Sequence, residues 1–505
     1  MRQLVWPETI LPPLWQVIRV DSQTVSRHAA KPDAPTAGTL KPNALGVLGI
    51  LFFVLSAQAP LTGIAGAAPI AVALGNGPGV PAAYLVAGLV VLLFSVGFVA
   101  MGRHVVDAGA FYTYIGKGLG RTTGTGSAGL ALFAYCTIQA AMYGLYGAIV
   151  SGLVASHTGL DLPWWVWTLA TMAVVQALGA AGVEMGAKVL AVFVLAEFSI
   201  LSVFALVTLF KGGGPEGLGL ADSFSPSAAL DGAPGVAVMF AVASMFGFEA
   251  TAIYGEEARE PKKTVPRATY LAVVVVTGFF ALVSWMLISS YGASKATAAA
   301  GKALEGGDGA GFVFAPIAAD FGGWVGDVLP VLLATSLFAG ILTFHNSANR
   351  YLFSLGRDGL LPLRMCRLNR RHAPWTAGCV QTVLAVLLVV PFALAGNDPV
   401  LTLFSWFSGV AVLAMMLLYL LTSVSVVVFF RRAHLDARLW NTLIAPALGA
   451  LGIAGAIWLI LANFTTLIGG ERTTALWLTL SVPVVMALGL VAARVRGRTM
   501  APADG

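Results

Sequence analysis

Long apolar runs alternate with short polar ones along almost the whole chain. Twelve apolar stretches stand out, at residues 43–74, 80–102, 126–155, 163–182, 187–210, 234–254, 268–291, 325–354, 374–396, 399–430, 441–467 and 474–493. A helix rising 1.5 Å per residue crosses about 30 Å of hydrocarbon in about 20 residues, and each stretch reaches that length. The pattern predicts an all-α membrane protein with twelve transmembrane helices. Residues 1–40 carry Arg2, Glu8, Arg19, Asp21, Arg27 and Lys31 and no long apolar core. They predict a disordered cytoplasmic tail and no cleavable signal peptide. Residues 496–505 read as a second short cytoplasmic tail.

Composition agrees with the pattern. Hydrophobic residues make up 58% of the 505 and charged residues 10%, where soluble proteins carry roughly 25% charge. Too few charges are present to cover several soluble domains, so a soluble enzyme, a disordered chain and a disulfide scaffold are excluded. The three cysteines, Cys136, Cys366 and Cys379, have no metal-ligand spacing.

Orientation follows from the basic residues. With the N-terminus inside, all but Lys211, Lys295, Lys302 and Arg472 of the 29 Lys and Arg fall on the cytoplasmic side. Acidic loop residues such as Asp222, Asp231, Glu305, Asp308, Asp320 and Asp327 fall on the other. A wrong helix count would scramble this segregation. The net charge of +6 therefore reports topology. The basic residues are spread over several loops, without a helix-turn-helix or RNP pattern, so no nucleic-acid partner is expected.

Two spans carry residues that break helices. In Ser56-Ala57-Gln58-Ala59-Pro60, the proline removes a donor and clashes one turn back, and Gln58 is an amide that lipid cannot satisfy. In Ser244-Met245-Phe246-Gly247-Phe248-Glu249, Gly247 weakens the helix and Glu249 is an intramembrane acid. A proline kink and a glycine packing site explain the two equally well. They open the first and sixth spans, however, where the inverted five-plus-five repeat of LeuT-type transporters has its broken helices. On that plan residues 41–430 form a ten-helix core and residues 431–495 add two further helices. No residue-level repeat is visible.

The loops carry a closer likeness. Gly247-Phe248-Glu249, followed by the run from Gly255-Glu256-Glu257 through Glu260-Pro261-Lys262-Lys263 to Pro266-Arg267, resembles the sixth-helix signature of amino acid–polyamine–organocation permeases. Arg350 with Leu355-Gly356-Arg357-Asp358-Gly359-Leu360-Leu361-Pro362 resembles the family's cytoplasmic end of helix eight. Gly109-Ala110-Phe111-Tyr112-Thr113-Tyr114 resembles the segment after helix two. The resemblance covers roughly residues 43–430. It departs at Ser56–Pro60, where the family has a glycine-rich break.

The resemblance implies a substrate site at the two breaks. Its carboxylate would meet backbone donors at Ser56, Ala57, Gln58, Ala59 and Pro60. Its amine would meet carbonyls there and at Ser244, Met245, Phe246 and Gly247. Phe344, fifteen residues before Gly359, matches a substrate-stacking aromatic of antiporter members. Glu249 either contacts substrate or protons or, the favoured reading, is structural or gating, and Glu256, Glu257 and Arg267 are read as a cytoplasmic gate of salt bridges.

Other candidates come from the residues themselves. Glu197 is a carboxylate alone in an apolar run. Such groups usually face the bundle interior and serve function, here as a proton carrier or as an attractor of a cationic substrate or sodium; the alternative is an acid hydrogen-bonded to a helix break without titrating. Tyr135, Gln139, Tyr143 and Tyr146 share one helical face, which lines a pore or hydrogen-bonds to neighbouring helices. His345, beside Phe344, is either a group that titrates near physiological pH or a buried, hydrogen-bonded histidine.

The chain therefore reads as a secondary active transporter of amino acids or related amines in the cell membrane, driven by protons or by exchange. No cofactor or metal is expected, since no Walker A or HExxH motif occurs, and no catalytic cluster suggests an enzyme. A polyamine importer and a non-transporting amino acid sensor of the same fold are the alternatives, with oligomeric state left open.

Overall fold

The computed structural model describes residues 44–105, 110–469 and 471–499. The expected N-terminal tail, residues 500–505 of the expected C-terminal tail and Gly109 of the segment after helix two lie outside them, while residues 496–499 continue the last helix. Among the described residues the protein is all-helical, and nine helices are long and apolar enough to cross a membrane. Each of the twelve apolar stretches falls mainly on helix. The count of nine arises because Val47–Gly102 runs on as one 56-residue helical segment, while Val194–Phe210 and Pro234–Ala243 are shorter apolar pieces.

The principal helices are α1 (Val47–Gln58), α2 (Val80–Gly102), α3 (Phe111–Leu119), α4 (Arg121–Thr158), α5 (Trp164–Ala181), α6 (Val183–Phe210), α7 (Pro234–Ala243) and α8 (Ala250–Ile253). They continue as α9 (Pro261–Tyr291), α10 (Ala293–Glu305), α11 (Gly311–Phe321), α12 (Val325–Arg357), α13 (Trp375–Leu394), α14 (Ser405–Ala433), α15 (Ala445–Leu467) and α16 (Arg472–Thr499). The turn chemistry is local. Asp398 Oδ1 accepts from the Val400 and Leu401 amides at 2.8 and 2.6 Å, capping the π-helical turn Pro399–Phe404 that leads into α14.

The 38-residue α4 is the central post. It packs against α3, α5, α12, α13, α14, α16 and the Pro399–Phe404 turn. On the other side α2 lies along α9, with α15 bridging α2, α7 and α14. The outer helices keep an apolar surface: Trp477, Leu480, Val484 and Leu488 of α16 are all exposed, as a lipid-facing stripe requires. Inside, Phe94 and Phe98 of α2, Phe248 and Tyr419 form one ring cluster with centroids 4.7–6.2 Å apart.

Two breaks interrupt this packing. After α1, Ala59 takes a left-handed conformation with φ 42°, and a π-helical stretch follows at Thr62–Ala67. Between α7 and α8, residues 244–249 leave helical geometry, with Gly247 at φ 106°. Both positions were legible as breakers. The proline and the glycine act here as true interruptions, because a carboxylate meets a freed amide at each: Glu197 from a distant helix at the first and Glu249, two residues on, at the second.

Close helix contacts give one test of the packing. A Cβ on Gly118 at the end of α3 would overlap Ser425 of α14, including its backbone carbonyl. Ser425 Oγ already donates to the Tyr114 carbonyl at 2.6 Å, so the contact has no slack. Gly118→Ala is expected to destabilise by about 1–3 kcal/mol, read as a lower apparent Tm of the detergent-purified protein.

Candidate functional site

At the first break, Pro60 has no N–H to donate. The Ala59 amide folds back on the Leu55 and Ser56 carbonyls, both at 3.2 Å. The next amide, Leu61, donates to Glu197 Oε2 at 3.2 Å. Glu197 comes from α6, and Ser336 of α12 donates to the same oxygen at 2.6 Å. Ser336 Oγ in turn accepts from the Thr62 amide at 3.3 Å and from Thr62 Oγ1 at 3.2 Å. Glu197 thus ties α6 and α12 to the chain just past the break. Its second oxygen, Oε1, is buried and has no partner.

The second break repeats the device. The Gly247 amide donates to Glu249 Oε2 at 3.0 Å, and Tyr419 of α14 donates to the same oxygen at 3.2 Å. Tyr135 of α4 donates to Glu249 Oε1 at 3.3 Å. A carboxylate therefore sits on a freed amide at each break. The breaks touch each other: Gln58 Nε2 donates to the Met245 carbonyl at 3.2 Å. A Cβ at Gly247 would overlap that of Ala57, so the position needs glycine for space as well as for its φ.

A cavity of about 40 Å³ lies beside this junction. At about 10–15 Å³ per water it has room for roughly three. Ala57, Gln58, Ala59, Ser244 and Phe344 line it, together with Thr62, Met142, Phe240, Phe404 and Ser408. None of its lining residues is charged. Two polar atoms at its wall, Gln58 Oε1 and Ser408 Oγ, are buried without a hydrogen-bond partner. An orphaned acceptor and an orphaned hydroxyl at one cavity mark where a polar ligand gains most.

The remaining expected site residues lie off the cavity wall. Ser56 Oγ donates back to the Phe52 carbonyl at 2.6 Å. Pro60, Phe246 and Gly247 shape the breaks, and Met245 offers its carbonyl to Gln58. Gln139 faces α13, where Gln381 Nε2 donates to its Oε1 at 2.6 Å. Tyr143 is buried one turn further on. On the polar face of α4, Gln139 thus bonds to a neighbouring helix and Tyr135 to Glu249. His345 bonds through Nε2 to Gln176 of α5 at 3.0 Å. Of the lining residues not anticipated, Phe240, Phe404 and Met142 are apolar residues in apolar runs and carry no sequence signal. Thr62 and Ser408 do carry one, as hydroxyls in such runs.

Ion pairs cluster on the face that bears the basic loops. Arg350 of α12 donates twice to Glu257, at 2.6 and 3.1 Å, with both side chains at most 4% exposed. Its guanidinium lies 4.7 Å from the centre of the Tyr254 ring. Arg357 pairs with Glu256 through both nitrogens at 2.9 and 3.0 Å, at 30% and 21% exposure. Beside them Leu45 pairs as a short bridge with Ala258. Arg267 is exposed and forms no ion pair among the described residues. No three His, Cys, Asp or Glu side chains among the described residues come together as a metal site needs.

The two pairs predict unequal responses. Arg350→Met leaves Glu257 buried without its cation, a loss of about 3–5 kcal/mol. Arg357→Met removes a partly solvated pair, for which about 1 kcal/mol or less is expected. Apparent Tm in detergent should fall steeply for the first variant and little for the second.

Comparison with known proteins gives a consistent picture. The amino acid permease family pattern matches residues 50–486. The branched-chain amino acid permease BcaP of Lactococcus lactis subsp. cremoris (strain MG1363) is 25% identical over 349 residues, covering 63% of this chain and 70% of that protein. The serine/threonine exchanger SteT of Bacillus subtilis (strain 168) is 21% identical over 396 residues, 76% of this chain and 82% of that one. The gamma-aminobutyric acid permease of Escherichia coli (strain K12) is 25% identical over 331 residues, 62% and 66% respectively.

Proposed function

The chain belongs to the amino acid permease family, and from that premise we propose that it is a secondary active transporter of amino acids with uncharged side chains, working by alternating access. The observation that carries the reading is the junction of two broken helices at a small cavity whose wall holds orphaned polar atoms and no charge. Gln58 Oε1 is an acceptor suited to a substrate ammonium. Ser408 Oγ is a hydroxyl available to a carboxylate. The aromatic side chains Phe240, Phe344 and Phe404 suit an apolar or small side chain.

A diamine fits less well. Its second ammonium would need an acid in the cavity wall, yet Glu197 and Glu249 hold backbone amides and line no part of it. The names of two relatives, for branched-chain amino acids and for serine and threonine, agree with an uncharged side chain.

The finer architecture belongs to the same proposal: an inverted repeat over residues 41–430 with two added helices, lying in the cell membrane with both termini cytoplasmic. The Arg350–Glu257 and Arg357–Glu256 pairs would then close the cytoplasmic side, and exchange with the outward face requires or relieves them in turn. Glu197 is the coupling group in this reading. It connects the first break to two neighbouring helices and keeps one oxygen free, so loss or gain of a proton there changes the hold on the break.

The direct test is thermal unfolding of the detergent-purified protein with leucine, serine, threonine, gamma-aminobutyrate and putrescine. A ligand at 100 times its Kd stabilises by about 2.7 kcal/mol. Stabilisation is expected from leucine, serine or threonine and not from putrescine. A response to putrescine alone would replace the reading with an amine transporter. Counterflow in proteoliposomes separates transport from sensing, because a sensor gives no ligand-dependent accumulation.

Two variants probe the parts. Gln58→Ala should weaken amino acid binding about 10- to 100-fold, since a hydrogen bond to a charged group contributes about 1.5–3 kcal/mol. With an acidic exterior, wild-type uptake is expected to quicken. Glu197→Gln cannot ionise, so it should lose that pH dependence and retain exchange; an unchanged pH profile would remove Glu197 from coupling.

A further inference from the structure

A second cavity, of about 460 Å³, lies on the basic face between α3, the first turn of α4 and the turn after α12. It shares no lining residue with the cavity at the helix breaks. Lys117 near the end of α3 and Arg121 at the start of α4 both line it. Both are exposed, and neither side chain has a hydrogen-bond or ion-pair partner among the described residues; Thr125 Oγ1 donates to the Arg121 carbonyl at 3.0 Å. The hydroxyl residues Thr113 and Thr125 stand in the same wall.

Its depth comes from two glycines. A Cβ on Gly124 would stand 2.7 Å from Gly116 Cα and 2.8 Å from the Tyr112 carbonyl. The backbones of α3 and α4 therefore touch, and nothing projects from that floor. One lining residue is acidic, Asp358. Its carboxylate is already engaged, accepting from the Tyr112 hydroxyl at 2.6 Å and lying 3.9 Å from Arg357 Nε. Apart from Asp358, no acidic residue among the described ones lines the cavity, so Lys117 and Arg121 face a concave space in which cations outnumber anions.

We infer that this cavity binds a phosphate group through Lys117 and Arg121. A guanidinium matches two phosphate oxygens with its planar fork, and an ammonium adds a point charge. The other basic loops differ in shape. Lys262 and Arg364 are also exposed, but neither lines this cavity or the central one. Phosphate reaches such a site either on an anionic lipid headgroup or as a free phosphate compound. The bound group would sit beside Asp358, whose neighbour Arg357 holds Glu256, so occupancy touches the ion pairs of the basic face.

The test is thermal unfolding of the delipidated full chain in neutral detergent at low salt. The probes are dioctanoyl phosphatidylglycerol, dioctanoyl phosphatidylcholine and inorganic phosphate. Phosphatidylglycerol, inorganic phosphate or both should raise Tm, and phosphatidylcholine should not. A response to the lipid alone assigns a headgroup, and a response to inorganic phosphate alone assigns a free compound. The Lys117→Gln/Arg121→Gln pair should weaken the response roughly 30-fold, at about a factor of five per cation. The charge-retaining pair Lys117→Arg/Arg121→Lys should keep it, as should Lys262→Gln/Arg364→Gln. If the double Gln variant does not fold, each single Gln variant gives the same comparison. No response to either anionic probe, an equal response to phosphatidylcholine, or an undiminished response in the Gln variants overturns the inference.

Discussion

In hydrocarbon a backbone amide without a partner is destabilising by several kcal/mol, because no water is there to take its hydrogen. A helix answers this for itself, and a broken helix does not. The rest of this structure depends on how the two breaks answer it. Glu197 reaches across from α6 to the Leu61 amide, and Glu249 folds back onto the Gly247 amide. Neither carboxylate could stay in such surroundings without donors, and neither break could persist without an acceptor. Each makes the other tolerable. The hydroxyls of Ser336, Tyr135 and Tyr419 complete the arrangement and draw three more helices, α12, α4 and α14, onto the breaks.

What could be read from the sequence follows the same division. Pro60, Gly247, Gln58, Glu197 and Glu249 announce themselves because each is anomalous in an apolar run. Periodicity found the helices, but not the count of full-length spans: α7 stops at Ala243 because the break lies inside its apolar stretch. The cavity wall was only half legible. Met142 and Phe240 face it through the rotation of their helices, which neighbours set and composition does not. Gln139 shows the limit from the other side. Its polarity marked it as special, but whether it turns to a ligand or to a helix depended on Gln381, 242 positions away. The loop signature fared unevenly for a similar reason. Glu256 and Glu257 find arginines on α12, while Arg267, on the same signature, points to solvent.

The two ion pairs of the basic face differ in a way their shared geometry conceals. Both are bidentate. Arg350–Glu257 is buried and also rests on an aromatic ring, so the energy of parting it is dominated by two uncompensated charges. Arg357–Glu256 stays wet and can part and re-form with little change in free energy.

The short bridge between Leu45 and Ala258 has a mechanical consequence. Leu45 donates to the Glu257 carbonyl at 3.0 Å and accepts from the Arg259 amide at 2.7 Å, so the chain entering α1 is stitched to the chain leaving α8. Each of those segments has its own pivot, at Ala59 and at Gly247. Two levers joined at their free ends and pivoted at the other no longer swing independently; they form a linkage with a single angle. As long as the two stitches hold, any rotation of α1 about Ala59 carries residues 257–259 with it.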